Sequence, residues 1–270
     1  MLVRAIVRAT AGVTPLRPAT ARYVATYLTV AGRKGVTPDA ARTMARTNTT
    51  VIGALALRRG DADALICGLE GRFVSSLRHI RDIVGLAPGA KDFAALSLVI
   101  APSGSYFLAD THVRSDPTAE EIADLAFACA HHVRRFGVTP KIALISHSDF
   151  GSADTPSARK MREALALVNA RAPDFEIDGE MQADTALSLV ARARVTADCR
   201  LSGEANVLIF PNLDAGSTAL QLTRVIADAL PVGPILVGPA KPAHVLTPSV
   251  TARGIVNMTA IAATEAAGPE

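Results

Sequence analysis

Ser202-Gly-Glu-Ala-Asn-Val-Leu-Ile-Phe-Pro-Asn-Leu-Asp-Ala-Gly216 holds a short apolar run between two polar, turn-rich segments. The run reads as a buried strand over 206–210, and the segment after it opens a helix over 216–230. Working outward, the same alternation recurs. Strands are predicted at 64–67, 93–101, 106–109, 141–146, 174–178 and 234–238, and helices at 75–84, 156–171, 184–195 and 250–264. Thr37-Pro38-Asp39 supplies an N-cap, a first-turn proline and an acid, and starts a helix that runs to Arg59 and stops at Gly60. Pro117-Thr118 starts another, ending at Gly137. Strands alternating with helices predict an α/β fold: two-lobed, with mostly parallel sheets and helices on both faces. In such sheets ligands bind beyond the carboxyl ends of the strands, which is where these polar loops are expected to gather.

The chain has 270 residues, 49% hydrophobic and 20% charged, enough to bury a sizeable core. No apolar run reaches the roughly 18 residues that a bilayer span needs, so no membrane association is expected. Cys67, Cys129 and Cys199 lack metal-ligand spacing and are too few for a disulfide framework, which suits buried structural thiols in a reducing cytoplasm. The net charge of +3 hides an asymmetry, because Asp39 is the single acid among the first sixty residues. Residues 1–21 read as a poorly ordered basic leader. Without aromatic interleaving or a nucleic-acid module, no nucleic-acid binding is expected. The lobes are expected at 22–137 plus 234–270 and at 138–233.

Standard chemistry is largely missing. There is no Gly-x-Gly-x-x-Gly after a strand, no phosphate-binding Gly-x-x-x-x-Gly-Lys-Ser/Thr loop and no Gly-x-Ser-x-Gly elbow. His147 follows a strand in the polar loop Ser146-His-Ser-Asp-Phe-Gly-Ser152, as a loop or a catalytic histidine. Asp178, Glu180 and Asp184 read as loop and helix-cap carboxylates rather than metal ligands.

Taken together, Gly203-Glu-Ala-Asn206, Pro211-Asn-Leu-Asp-Ala-Gly216, Gly233-Pro-Ile-Leu-Val-Gly-Pro-Ala-Lys-Pro242 and Ile255-Val-Asn257 occur in an order that resembles the phosphate acetyl/butyryltransferase family. Pro117-Thr-Ala-Glu-Glu121 adds a further element, with Arg114 where the family usually carries Asn. The resemblance covers roughly residues 22–264. Arg46-Thr-Asn-Thr-Thr50, Leu77-Arg-His-Ile-Arg81, Pro156-Ser-Ala-Arg-Lys-Met-Arg162 and Leu246-Thr-Pro-Ser249 look most like the C-terminal transacetylase-like domain of bacterial NADP-dependent malic enzymes.

The resemblance implies acetyl transfer between the thiol of coenzyme A and phosphate, with a thiol base, phosphate-binding cations and oxyanion donors. In this chain Thr247 stands at the family's loop serine, Pro248 at its arginine and Gly254 at its aspartate; a second family arginine aligns with Val225, one position from Arg224. Proline binds no phosphate and glycine accepts no proton. Ligand contacts are therefore expected from Arg78, Arg224, Lys241, Thr247 and Ser249, without turnover. The implied function is an acetyl-CoA-binding (or CoA-binding) regulatory domain of malic-enzyme type, with no tightly bound cofactor, as a homo-oligomer associated with malic enzyme catalytic domains. An active phosphate acyltransferase and an oligomerisation domain remain as alternatives. The chain is expected to lack malate oxidation, and residues 1–21 show no counterpart of the family's first strand-helix region.

Overall fold

The computed structural model describes residues 5–7 and 20–268. Its contacts form two units, one reaching to Asp92 and resuming at Pro234, the other spanning Phe93–Gly233. The return at 233/234 falls where expected, but the first boundary lies at 92/93 rather than 137/138. The reason is strand pairing, set out with the second unit below.

The first unit is built on a three-stranded parallel sheet of β1 (Ala5–Val7), β2 (Ala64–Cys67) and β9 (Ala243–Val245), in the order β1-β2-β9. Helices α1 (Thr20–Ala31), α2 (Pro38–Thr47), α3 (Thr49–Arg59), α4 (Phe73–Ile83) and α10 (Ala252–Ala267) belong to this unit. The expected leader is thus partly structured: Ala5–Val7 pairs with β2, and α1 begins at Thr20 and buries Tyr23 and Tyr27 just beyond it. The rest of that leader lies outside the described residues. The single helix expected over 38–59 is two, because Asn48 is extended between them. Its N–H bonds Met44 O to close α2, and its side-chain oxygen accepts from Val51 N to cap α3. Gly53 lets α3 approach the sheet, since a Cβ there would lie 2.6 Å from Leu65 Cδ1.

A six-stranded sheet has the order β6-β5-β7-β4-β3-β8, with its first five strands in the second unit and β8 running across the boundary at 233/234. Its strands are β3 (Ala94–Ala101), β4 (Gly104–Ala109), β5 (Lys141–Ile145), β6 (Glu176–Met181), β7 (Val207–Ile209) and β8 (Leu230–Val237). β4, β5, β6 and β7 run parallel, while β3 and β4 form an antiparallel hairpin. Because β4 pairs with β7 (Phe107↔Val207), residues 93–109 cannot belong to the first lobe. The helices are α5 (Ala119–Arg134), α6 (Pro156–Ala170), α7 (Ala183–Leu187), α8 (Leu189–Val195) and α9 (Leu213–Ile226). The capping box of Thr118 and Glu121 fixes the start of α5. Ser188, capping Ala191 N, divides the helix expected over 184–195 into α7 and α8. Val99, Leu108, Ala143 and Leu208 on one sheet face pack with Ala186 of α7 and Leu220 of α9. From β5 the chain passes through α6 to the edge strand β6, whereas from neighbouring β7 it passes through α9 to the opposite edge, β8. The loops leaving β5 and β7 therefore diverge, and this is the topological switch point of the sheet.

Candidate functional site

In the first unit the loops beyond β2 and β9 are pressed together. Gly68 has φ 100°, and a Cβ there would lie 2.5 Å from Leu246 O, so only glycine fits. Leu246 N donates to Cys67 O at 2.7 Å. This sets the 68–72 turn, which leads into α4, beside the 247–251 turn, which leads into α10. Thr247 Oγ1 and Ser249 Oγ are 3.0 Å apart across Pro248, and Thr251 caps α10 by accepting from Gly254 N. Arg78 stands on α4 with its side chain 82% exposed and its guanidinium 3.9 Å from Asp82. Gly254 is buried in the first turn of α10, where a Cβ would meet Val250 Cγ2 at 2.7 Å.

Of the other two expected ligand contacts, Lys241 lies in the first unit and Arg224 in the second. Lys241 Nζ donates to Leu57 O at 2.7 Å and to Arg58 O at 3.4 Å, closing the last turn of α3. Arg224 is exposed on the last turn of α9 and belongs to the second unit, whereas Arg78, Thr247 and Ser249 belong to the first.

Behind the turns, burial pushes the Cys67 thiol up to about 12, partly offset by a hydrogen bond from Thr50. Burial also raises the thiols of Cys129 and Cys199. None of the three offers a thiolate near neutral pH. His244, fully buried, accepts Leu236 N at Nδ1 (3.1 Å), so its proton sits on Nε2, 3.0 Å from Glu265 Oε2. This pair fastens α10 to the sheet.

In the second unit polar groups collect at the carboxyl ends of the parallel strands. Asp110, after β4, accepts Ala95, His112 and Val113 N–H groups on Oδ1 and Arg114 N–H on Oδ2. Burial raises its carboxyl and these four donors oppose the rise. A Cβ on Gly216 would lie 2.2 Å from Asp110 O, so glycine lets α9 start against the end of β4. His112 Nδ1 is 2.8 Å from Thr111 Oγ1, itself 2.8 Å from Ser97 Oγ. Burial lowers the imidazole to about 4, so it is neutral at physiological pH.

The 146–152 loop after β5 is strapped to β6. Ser146 N donates to Met181 O, Phe150 N to Glu180 O, and Gln182 N to Asp149 Oδ1. Glu180, wholly buried, accepts Ser148 Oγ (2.7 Å), Gly151 N (3.0 Å) and Arg162 Nη1 (2.7 Å) on one oxygen. Lys160 on α6 reaches the switch point, where Nζ donates to Pro211 O at 2.8 Å and pairs with Asp116. His147 meets only the capping hydroxyl of Thr155 among the contacts described, at 3.2 Å. Asp178 binds Gly179 N and Arg200 N, Asp184 binds Thr185 N, and no His/Cys/Asp/Glu group among the described residues could hold a metal.

Not every turn-rich motif lies at this edge. Residues 203–206 precede β7 and so sit at the amino end of the strands. Asn206 accepts Lys141 N and donates to Thr139 O there, and the buried Arg192 guanidinium bonds Gly203 O at 2.8 Å. The sequence alone did not single out Asp110 and His112, whose signal was a polar cluster directly after an apolar run, and it quoted Ser148 and Lys160 only within longer motifs.

The family model described as phosphate acetyl/butaryl transferase matches residues 8–263, and the chain belongs to that family. The match starts well before residue 22, so residues 8–21 have a counterpart in the family. Within the family the chain is 56% identical over 92% of its length to an NAD-dependent malic enzyme of Rhizobium meliloti, and 44% identical over 90% to the NADP-dependent malic enzyme of Escherichia coli. The matched region is the C-terminal part of those enzymes and spans about a third of their length, 32% in each case. A phosphate acetyltransferase of Paracoccus denitrificans is 39% identical over 78% of the chain and 68% of that enzyme. A phosphotransacetylase from Streptococcus pyogenes superposes with a TM-score of 0.85 at 29% identity, covering 93% of this chain and 76% of that one. The EutD phosphotransacetylase of Staphylococcus aureus gives 0.83 at 26%, covering 94% and 78%. The chain is thus a phosphate acetyltransferase-like domain, closely related to the C-terminal domains of malic enzymes.

Proposed function

We propose that this domain binds acetyl-CoA, or CoA itself, as a regulatory ligand in a malic-enzyme setting and has lost acyl transfer. The observation that carries the reading is Gly254, where the family resemblance places the thiol base. The position has no side chain and Val250 Cγ2 occupies the direction in which one would grow. Pro248, at the loop arginine, supplies neither a cation nor a backbone N–H. Regulation needs only differential affinity between two states, so a binding surface without turnover suffices. Arg78 supports ligand binding, since its guanidinium is exposed and its ion pair long.

Association with malic enzyme catalytic domains is supported by the region shared with those relatives. Self-association is supported by Leu222, Val225 and Ile226, exposed on one face of α9 at 52%, 76% and 78%. Among the described residues no helix is long and apolar enough to cross a membrane, and a cytoplasmic setting is part of the same proposal. Calorimetric titration with acetyl-CoA, run beside an acetyl phosphate formation assay, tests the reading. Binding without product is expected; robust transfer would establish the acyltransferase alternative, and neither binding nor transfer would leave only assembly.

A further inference from the structure

Among the three cations on the first turns of α6, two are held by acids close by. Arg159 and Arg162 share Asp154, and Arg162 also pairs with the buried Glu180. Lys160 differs. Its side chain is only 19% exposed, it lies where the loops leaving β5 and β7 diverge, and its acidic partner comes from a separate segment, the turn before α5. That partner, Asp116, is 77% exposed. An ammonium so far removed from water needs acceptors for three N–H groups; Pro211 O is one fixed acceptor and the Asp116 carboxylate is the other described. An exposed carboxylate contributes little to such a pair and exchanges readily with solvent anions.

We propose that the switch-point crevice of the second unit is a phosphate site, with Lys160 as its cation and Asp116 as the internal carboxylate that an incoming phosphate displaces. A phosphate group brings more negative charge and more acceptor oxygens to the same ammonium, and its charge-assisted hydrogen bonds replace the one given up. The wall beside it is already ordered, because the 146–152 loop is bonded to β6 at Met181 O, Glu180 O and the Glu180 carboxylate. Little ordering is left for binding to impose. Arg159 and Arg162 on the same helix offset two of the three nearby acids Asp149, Asp154 and Glu180, and Lys160 offsets the third, so the neighbourhood is neutral once Asp116 swings away. The ligand class is a phosphate monoester or diphosphate. Identifying it with the phosphates of a CoA thioester rests on the function proposed above.

Sign separates this site from a plain structural cross-link. If the Lys160–Asp116 pair only ties α6 to the turn before α5, removing either partner loosens the crevice and weakens any ligand. If Asp116 competes with the ligand, Asp116→Asn tightens binding and Lys160→Met weakens it. The experiment titrates the wild-type chain and both variants with acetyl-CoA, with phosphate-free S-acetylpantetheine and with inorganic pyrophosphate, each after a melting curve confirms folding. Asp116→Asn is expected to bind acetyl-CoA and pyrophosphate about two- to fivefold more tightly, and Lys160→Met about tenfold or more weakly. S-acetylpantetheine is expected to respond to neither. Unchanged or weaker binding of both phosphate ligands by folded Asp116→Asn overturns the site, even if Lys160→Met does not fold. Pyrophosphate showing the opposed responses while acetyl-CoA fails to bind supports the site and rejects the CoA reading. Acetyl-CoA binding that neither variant alters does the reverse, and a wild-type chain that binds no phosphate ligand rejects the site outright.

Discussion

Restoring a carboxylate at Gly254 is the most direct way to test whether transfer was lost at this position, and the structure sets the cost. A Cβ at 254 would stand 2.7 Å from Val250 Cγ2, well inside ordinary contact, and 3.5 Å from Thr251 Oγ1. Forcing one extra carbon into such a contact costs about 1–3 kcal/mol. Opposing it, an acid in the first turn of α10 faces the positive end of the helix dipole and gains about 0.3–1 kcal/mol. Gly254→Asp should therefore destabilise the chain by about 1–2 kcal/mol, seen as a fall of about 2–8 °C in melting temperature. Trimming Val250 to Ala removes the obstacle. A double-mutant cycle of Gly254→Asp and Val250→Ala in chemical denaturation should give a favourable coupling of about 1–2 kcal/mol. Zero coupling, or a Gly254→Asp variant that melts like wild type, would refute the steric argument. Adding Thr247→Ser and Pro248→Arg to the relieved pair is then expected to yield measurable acetyl phosphate, where Gly254→Asp alone yields none, because groups that act together are non-additive.

Arg78→Ala should leave stability within about 0.5 kcal/mol, since the side chain is exposed, while weakening acetyl-CoA by about 1.5–3 kcal/mol in calorimetry; unchanged affinity would remove Arg78 from the site. Folding lowers the His112 imidazole from 6.5 to about 4. Between those values the unfolded chain binds the extra proton, so this contribution is present above pH 6.5 and declines as pH falls towards 4, by at most about 1.4 kcal/mol per pH unit. Denaturant titrations of His112→Asn should show a flatter acid limb than wild type, and an identical limb would count against the burial argument. Charging the α9 face with Val225→Asp and Ile226→Asp should convert an oligomer to monomer in sedimentation velocity, whereas a wild-type chain already monomeric at micromolar concentration would contradict self-association.

The alternation of strand and helix was legible because buried parallel strands are short apolar runs and their helices carry caps; Thr37, Thr118 and Thr251 all cap as such residues should. The breaks at Asn48 and Ser188 were hidden, since each side chain ends one helix and caps the next without disturbing the helical spacing. Helix α1 was not predicted, although nearly all of it lies beyond the leader read over 1–21; its signal was Tyr23 and Tyr27, four residues apart on one buried face. The lobe boundary depended on the pairing of β4 with β7, a contact across a hundred residues that local pattern does not encode. At the candidate site, the turn carrying Thr247 and Ser249 could be located from motif order. The bonds of Lys241 to Leu57 O and Arg58 O were not legible, because motif order does not encode a lysine that closes a helix.

The pairing of β2 with β9, Leu65 opposite Ala243, has a consequence for synthesis on the ribosome. At about 5–20 residues per second, β2 emerges roughly ten to forty seconds before its partner. Everything needed for the 93–233 unit is made in that interval, so the inserted body can fold while its host stays open along one strand edge. An exposed apolar edge recruits other chains as easily as its own. Nascent copies on one message are therefore most vulnerable to mispairing before residue 243, and pausing or chaperone occupancy in the interval should affect yield more than equal delay elsewhere.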